Sequence, residues 1–322
     1  MTTRTPSRRT VLGAGGALAL GAGIGLGAAG CAGDADGVPI ALASGTPAGV
    51  YHRLGAALVD LWGTDLGART SLLDSQGSVD NVGMLAAGLA DVAFCAVDVA
   101  ADGAVDGARP ERPLQALARM HDDAVHVVVP ASSDVRRLAD LRGRRVSVGA
   151  PNSGVLVIAP RLLATVGLSP ESGLVASMLG LGDSVAALRA GVIDAFFWSG
   201  GVPTAGVEDL ARSVPLRLLD LTGEVDALRR VYPVYDVTTV PARAYGIGDP
   251  VTTVSVRNVL VVTAAMETTT ARGLTRVLLD RVPALAAADP AGRSVDPRTA
   301  IGTQPVPLHA GAAEAYRAAK PS

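Results

Sequence analysis

Cysteine, aromatic residues and runs of positive charge are all scarce in this sequence of 322 residues. Cysteine occurs at positions 31 and 95 alone, and Cys95 sits in the apolar run VAFCAV, where nothing nearby in sequence lowers its pKa. Cys95 therefore reads as a small core residue. Aromatic residues make up 3% of the chain against 49% hydrophobic residues, so the interior rests on Val, Leu, Ala and Ile. With a formal charge of -2, and with Arg136–Arg137 and Arg142–Arg145 as the basic clusters beyond the first ten residues, nucleic acid is excluded as a partner. Catalytic signatures are missing too. There is no G-x-S-x-G, H-E-x-x-H or G-x-x-x-x-G-K-[ST], and the four histidines, at 52, 121, 126 and 309, lack metal-ligand spacing. No enzymatic activity, metal or cofactor is expected.

What is present at the N-terminus points to a location. SRRTVLG (7–13) sets the Arg8–Arg9 pair ahead of an uncharged stretch from Thr10 to Gly30, rich in Gly, Ala and Leu, that ends in AAGC at Cys31. The pattern resembles a twin-arginine export signal with a lipobox-like end, in which Cys31 is acylated and becomes the first mature residue. A retained membrane anchor is the alternative, and the glycine content argues against it. Residues 1–30 then form the signal and 31–37 a tether, which places the protein outside the cytoplasm, anchored to the cell membrane through lipid on Cys31. Removing 1–30 deletes Arg4, Arg8 and Arg9 and no acidic residue, which moves the formal charge from -2 to -5.

From Val38 onward, apolar strands alternate with helical periodicity. VPIALAS (38–44) reads as a buried strand, and Leu54, Ala57, Leu58, Leu61 and Trp62 recur at helical spacing behind it. RTSLLDS is a second strand, Val79, Val82, Leu85 and Leu89 mark a second helix, and ADVAFCAV is a third strand. The alternation restarts at the β-branched run Val127–Val129 and runs through strands at 145–149 and 192–198. VTTVSVRNVLVV then returns to the first lobe, and the chain from Met266 onward is helical, with a break at 304–307. This predicts an α/β fold of two lobes, 38–126 with 254–322 and 127–253, joined by two hinge strands around a ligand cleft.

Three times a strand runs into small residues ahead of a helix: Ser44–Gly49, Gly149–Gly154 and Ser199–Gly201. In α/β sheets ligands lie at the carboxyl ends of strands, where helix N-termini offer free N–H groups to an anion and glycine admits close approach. Each loop alone also reads as an ordinary tight turn. Tyr51 brings an aromatic face and a donor hydroxyl to a helix start, or packs in the core. Gln76, Ser78, Asn81 and Ser153 offer uncharged hydrogen bonds, or cap helices. Phe196 and Phe197 point to opposite faces of a strand, so at least one is core, while Trp198 is placed to wall a pocket. Arg53 either neutralises a ligand carboxylate or is solvated.

Four segments, SGTPAGVYHRLGAALVDLW, DSQGSVDNVGMLAAGLADVAFCAVDVAADGA, LADLRGRRVSVGAPNSGV and LGDSVAALRAGVIDAFFWSGGVPTAGVEDLA, resemble the TAXI-type solute-binding proteins of TRAP transporters. The resemblance covers nearly the whole mature chain. It implies a periplasmic-binding-protein-like (type II) fold that closes on a small anionic or zwitterionic solute, an amino acid such as glutamate or glutamine, or a dicarboxylate or oxo acid. It also implies delivery to a TRAP-type membrane permease by a monomer. The residues it assigns to the cleft are Tyr51, Gln76, Gly77, Ser78, Asn81, Asn152, Ser153, Gly154, Val155, Trp198, Ser199, Gly200 and Gly201, to which the small residues of the opening loop add Ser44, Gly45 and Gly49. Val155 stands where the family commonly has Thr, which removes a hydroxyl donor. A lipoprotein that senses the ligand and reports to a membrane receptor kinase shares these features. A remoter alternative is an α/β enzyme with a dispersed site, with Ser44 or Ser153 as nucleophile, although the sequence pairs no base with either.

Overall fold

Strand β1 (Pro39–Ala43) buries Ile40 and Leu42, and α1 (Val50–Leu66) packs Leu54, Leu58, Trp62 and Leu66 into the same core, as the helical spacing predicts. The helix stops at Gly67, whose left-handed backbone (φ 72°) turns its N–H back to the Gly63 carbonyl. This is a computed structural model, and it describes residues 34–47, 49–102 and 113–319. The expected export signal and Cys31 lie outside the described residues.

The unit repeats as β2 (Arg69–Leu73), α2 (Ser78–Ala87) and β3 (Val92–Ala96), followed by the short α3 (Val97–Asp102). A strand of 17 residues, β4 (Leu114–Pro130), leads into β5 (Arg145–Ser147), α4 (Val155–Ala164), β6 (Val175–Ser177), α5 (Leu181–Arg189) and β7 (Ala195–Gly200). Then come α6 (Ala205–Ala211), β8 (Leu216–Leu218), α7 (Thr222–Val231), β9 (Asp236–Val240) and a second long strand, β10 (Val251–Thr263), of 13 residues. Helices α8 (Thr268–Asp280), α9 (Val282–Ala288), α10 (Pro297–Ala300) and α11 (Ala310–Ala318) follow. Trp62 Nε1 donates to the Leu274 carbonyl at 3.2 Å, which ties α1 to α8.

The strands join in the order β2-β1-β3-β10-β4-β7-β5-β6, with β9 on β10 and β8 on β4. Outer strands are parallel to their neighbours, and the central pair runs antiparallel. β10 pairs with β3 through Asn258–Val262 and with β9 through Val251–Ser255, while β4 pairs with β7 through Ala124–Val128. Each long strand thus serves both lobes. The fold is a two-lobe α/β architecture, with β4 and β10 as its two crossings. Their ladder is irregular between Arg257 and Val259 and again between Leu260 and Val261, and such bulges bend a strand and re-aim its side chains.

Two local expectations change. The strand expected from Val127 begins at Leu114, because LQALARMHDDAV lacks clean alternation: its burial partners switch from one lobe to the other, and the bulges break the period of two. Ser199 and Gly200, expected in a loop, are the last residues of β7, paired with Val125 and Ala124. The β4 ladder extends that far, so the strand does not end at Trp198.

Candidate functional site

The first lobe presents the carboxyl ends of β1 and β3 beside the starts of α1 and α2. Ser44 Oγ donates to the Leu73 carbonyl at 2.8 Å, which binds β1 to β2. Asn81 is fully buried, and its Nδ2 donates to the carbonyls of Ser44 at 2.7 Å and Phe94 at 2.8 Å. It braces the two strand ends. Ser78 Oγ accepts the Ala96 N–H at 3.0 Å. Tyr51, in the first turn of α1, stacks on Phe94 with ring centres 5.0 Å apart, and its hydroxyl donates to Asn258 Oδ1. The same hydroxyl lies 3.4 Å from Ser78 Oγ. Burial, and then the negative charge of Asp123, hold the Tyr51 phenol well above its usual titration range.

Several predicted residues shape the backbone here. The Gly49 N–H donates to the Thr46 carbonyl at 2.8 Å just before α1, and a Cβ on Gly45 would lie 3.4 Å from that of Tyr51. Gly77 holds φ at 123°, a conformation closed to most side chains, and so turns the chain into α2. Gln76 is exposed and joins the site only through its neighbours. Arg53 is engaged with Asp289, its Nη2 2.6 Å from Oδ2.

The second lobe answers with the start of α4. Asn152 takes a left-handed backbone (φ 61°), which Asn tolerates, and its carbonyl accepts the Asp80 N–H at 3.1 Å. Ser153 Oγ donates to the Ala150 carbonyl at 2.8 Å and accepts the Leu156 N–H at 3.3 Å, capping α4. A Cβ on Gly154 would stand 3.3 Å from Ser78 Oγ and 3.6 Å from Ala96 Cβ. The lobes therefore touch where the predicted loops meet. Val155 is buried in the core behind them.

The β7 residues divide. Phe196 and Phe197 are both buried and belong to different core clusters, and Trp198 turns its Nε1 to Thr204 Oγ1 at 3.2 Å. Ser199 Oγ donates to Asp123 Oδ2 at 3.4 Å. Gly200 lies against Trp198, whereas a Cβ on Gly201 would meet nothing within 4 Å. Tyr51, Gly77, Ser78, Asn152, Ser153 and Gly154 therefore come together where the loops meet, while Trp198, Ser199 and Gly200 pair with the crossing strand β4.

Sequence reasoning missed three residues there: His121, Asp123 and Asn258. The His121 ring meets that of Tyr51 edge-on at 5.9 Å, and its Nε2 lies 3.4 Å from Asp123 Oδ1. Polar residues that interrupt the apolar runs of the crossing strands, HDD in β4 and Asn258 in VTTVSVRNVLVV, were the available signal. A cavity of about 760 Å³ opens beside Asp123, in the size range of small-molecule sites. Among the described residues no group of three His, Cys, Asp or Glu side chains is placed to hold a metal ion.

A second polar cluster spans the lobes behind this site. Asp98, at the start of α3, is buried, and it accepts the Tyr235 hydroxyl at 2.7 Å. Arg161 of α4 donates to that hydroxyl at 2.9 Å, pairs with Asp102, and lies 4.3 Å above the Tyr232 ring. Burial pushes the Asp98 carboxyl up, against the pull of Tyr235 and Arg161.

Solved structures share this architecture at low identity. A chloride-bound protein from Xanthomonas citri matches at a TM-score of 0.52 and 17% identity, over 87% of this chain and 99% of its own. The binding protein component of an ABC phosphonate transporter from Pseudomonas aeruginosa matches at 0.55 and 11%, over 80% and 79%. PhnD1 from Prochlorococcus marinus, in complex with methylphosphonate, matches at 0.52 and 13%, over 75% and 84%. No helix among the described residues is long and apolar enough to cross a membrane. Residues 42–319, which hold both lobes and the meeting loops, match the NMT1-like family, and the chain belongs to it.

Proposed function

We propose that this protein is an extracytoplasmic binding protein that captures a small anionic or zwitterionic solute between its lobes and hands it to a membrane permease. The carrying observation is the meeting of the predicted loops: Asp80 donates to Asn152, and Gly154 faces Ser78 and Ala96. Loops at helix N-termini on two hinged lobes enclose a ligand and exclude water when they close. An amino acid of the glutamate or glutamine kind, a dicarboxylate or an oxo acid fits such donors. The resemblance of residues 44–62 and the later loops to TAXI proteins supports a TRAP-type permease as partner, and AAGC at Cys31 supports a lipid anchor.

The test is a melting-temperature screen of small carboxylates, amino acids and phosphonates, followed by small-angle scattering. Ligand at a hundredfold excess over Kd adds about 2.7 kcal/mol of stability and reduces the radius of gyration. A broad panel without a shift overturns solute binding; a shift without compaction overturns lobe closure. Deleting the gene should abolish ligand uptake, whereas loss of a transcriptional response alone would point to a receptor kinase. Cys31→Ala should release the mature protein from the membrane fraction or block its processing.

A further inference from the structure

The cavity beside the cleft has a charged wall. It holds Arg119 and Arg229 with Asp122, Asp123 and Asp236. Arg119 Nη2 meets Asp122 Oδ2 at 2.5 Å, and Asp236 lies between Arg229, at 3.9 Å, and Arg257, at 3.7 Å. Asp123 has the His121 ring as its nearest basic group. Its side chain is 13% exposed, and among the described residues no guanidinium pairs with it. A carboxylate drawn this far out of water is stabilised only by a partner of opposite charge or by several donors, and Ser199 supplies a single long one.

Two further polar groups stand behind the cavity wall, both against Tyr51. His121 is 3% exposed, and among the described residues neither Nδ1 nor Nε2 has a hydrogen-bond partner; its contact with Asp123 lacks hydrogen-bond geometry. Asn258 is 0% exposed, and its Nδ2 likewise has no partner among the described residues. Buried side-chain polar atoms are satisfied in the great majority of cases, so His121 beside Asp123 and Asn258 on the far side of Tyr51 are unusual, and they flank the one carboxylate of the wall that no arginine meets.

We propose that Asp123 is an ammonium-binding subsite, so that the solute is an aminated one. The proposal rests on the solute-binding reading above and narrows it. A protonated amine directs its donors to the Asp123 carboxylate in charge-assisted hydrogen bonds, with the buried His121 and Asn258 side chains behind it. The anionic end of the same molecule lies toward the starts of α2 and α4, which favours a zwitterion. A purely anionic acid would set its charge against Asp123, which selects against simple phosphonates, sulfonates and dicarboxylates.

The experiment loads wild-type protein from a small-molecule extract of its native host, washes it, and identifies the released species by high-resolution mass spectrometry. Species with a protonatable nitrogen are expected. Asp123→Asn, which keeps the shape and the Ser199 hydrogen bond, should hold them at least about tenfold more weakly by calorimetry, with an unchanged ligand-free melting temperature. If Asp123→Asn does not fold, the class of species held by wild type decides alone. A retained species without such a nitrogen overturns the subsite and leaves solute binding intact, as does wild-type affinity in the folded variant. Retention of nothing overturns solute binding, and the subsite with it.

Discussion

The Tyr235 hydroxyl, carried by the second lobe, donates at 2.7 Å to the carboxylate of Asp98, carried by the first, and Arg161 donates to the same oxygen of Tyr235 at 2.9 Å. This clasp closes over a buried carboxylate, so its geometry depends on the lobes staying together. Arg161→Met leaves Asp98 and Asp102 without their cation and should cost about 3–5 kcal/mol in urea unfolding. Protonation of Asp98, already favoured by burial, pulls the loss toward the lower figure. Tyr235→Phe should cost less, about 1–3 kcal/mol. Ligand-free Arg161→Met should also show a larger radius of gyration than wild type, and an unchanged value would mean that the clasp does not hold the lobes.

Gly154 faces Ser78 where the predicted loops meet. Its φ of -63° suits any residue, so Gly154→Val is compatible with the start of α4, yet the added Cβ would stand 3.3 Å from Ser78 Oγ. Overpacking of this kind costs about 1–3 kcal/mol, which, borne by the closed state that holds ligand, lowers affinity by about 5- to 150-fold. Calorimetry on the ligand recovered from wild type reads the loss, and wild-type affinity would reduce the loop to a turn. Gly49→Val, whose Cβ would lie 3.1 Å from the Thr46 carbonyl, should weaken binding through the first loop.

Tyr51→Phe removes the hydroxyl that Asn258 Oδ1 accepts and leaves the ring on Phe94 in place. A neutral hydrogen bond of this kind is worth about 0.5–1.5 kcal/mol. The loss should appear in ligand affinity if the hydroxyl holds Asn258 in its binding position, and in unfolding free energy alone if the contact only packs the core.

His126 makes stability depend on pH. Its Nδ1 lies 2.8 Å from the Ala124 carbonyl and its Nε2 3.0 Å from the Tyr245 hydroxyl, and burial pushes its pKa down to about 4. The native ring thus sheds its proton while the unfolded chain keeps one up to the ordinary histidine value of about 6.5. Stability from this group is present above pH 6.5 and declines as pH falls toward 4, by about 3 kcal/mol in all. His126→Gln should flatten that slope in urea unfolding between those limits; an unchanged slope would assign the dependence elsewhere.

Periodicity alone determined the β-α units. Strand and helix faces are set by spacings of two and about 3.6 residues, which need no partner to be read, so Leu54, Leu58 and Trp62 emerged as one buried face. The loops were legible for a similar reason, since Ser153, Gly77 and Gly154 do local work at helix starts. Tertiary structure decided what those loops face. Tyr51 and Asn258 stand 207 positions apart, and Asp98 and Tyr235 stand 137 apart, so no local pattern links them. Only the side-by-side placement of β4 and β10, two strands shared between lobes, sets Asp123, His121 and Asn258 beside Tyr51. Bulges in that pair re-aim side chains away from a simple alternation, so HDD carries no clear strand signal although it lies within β4.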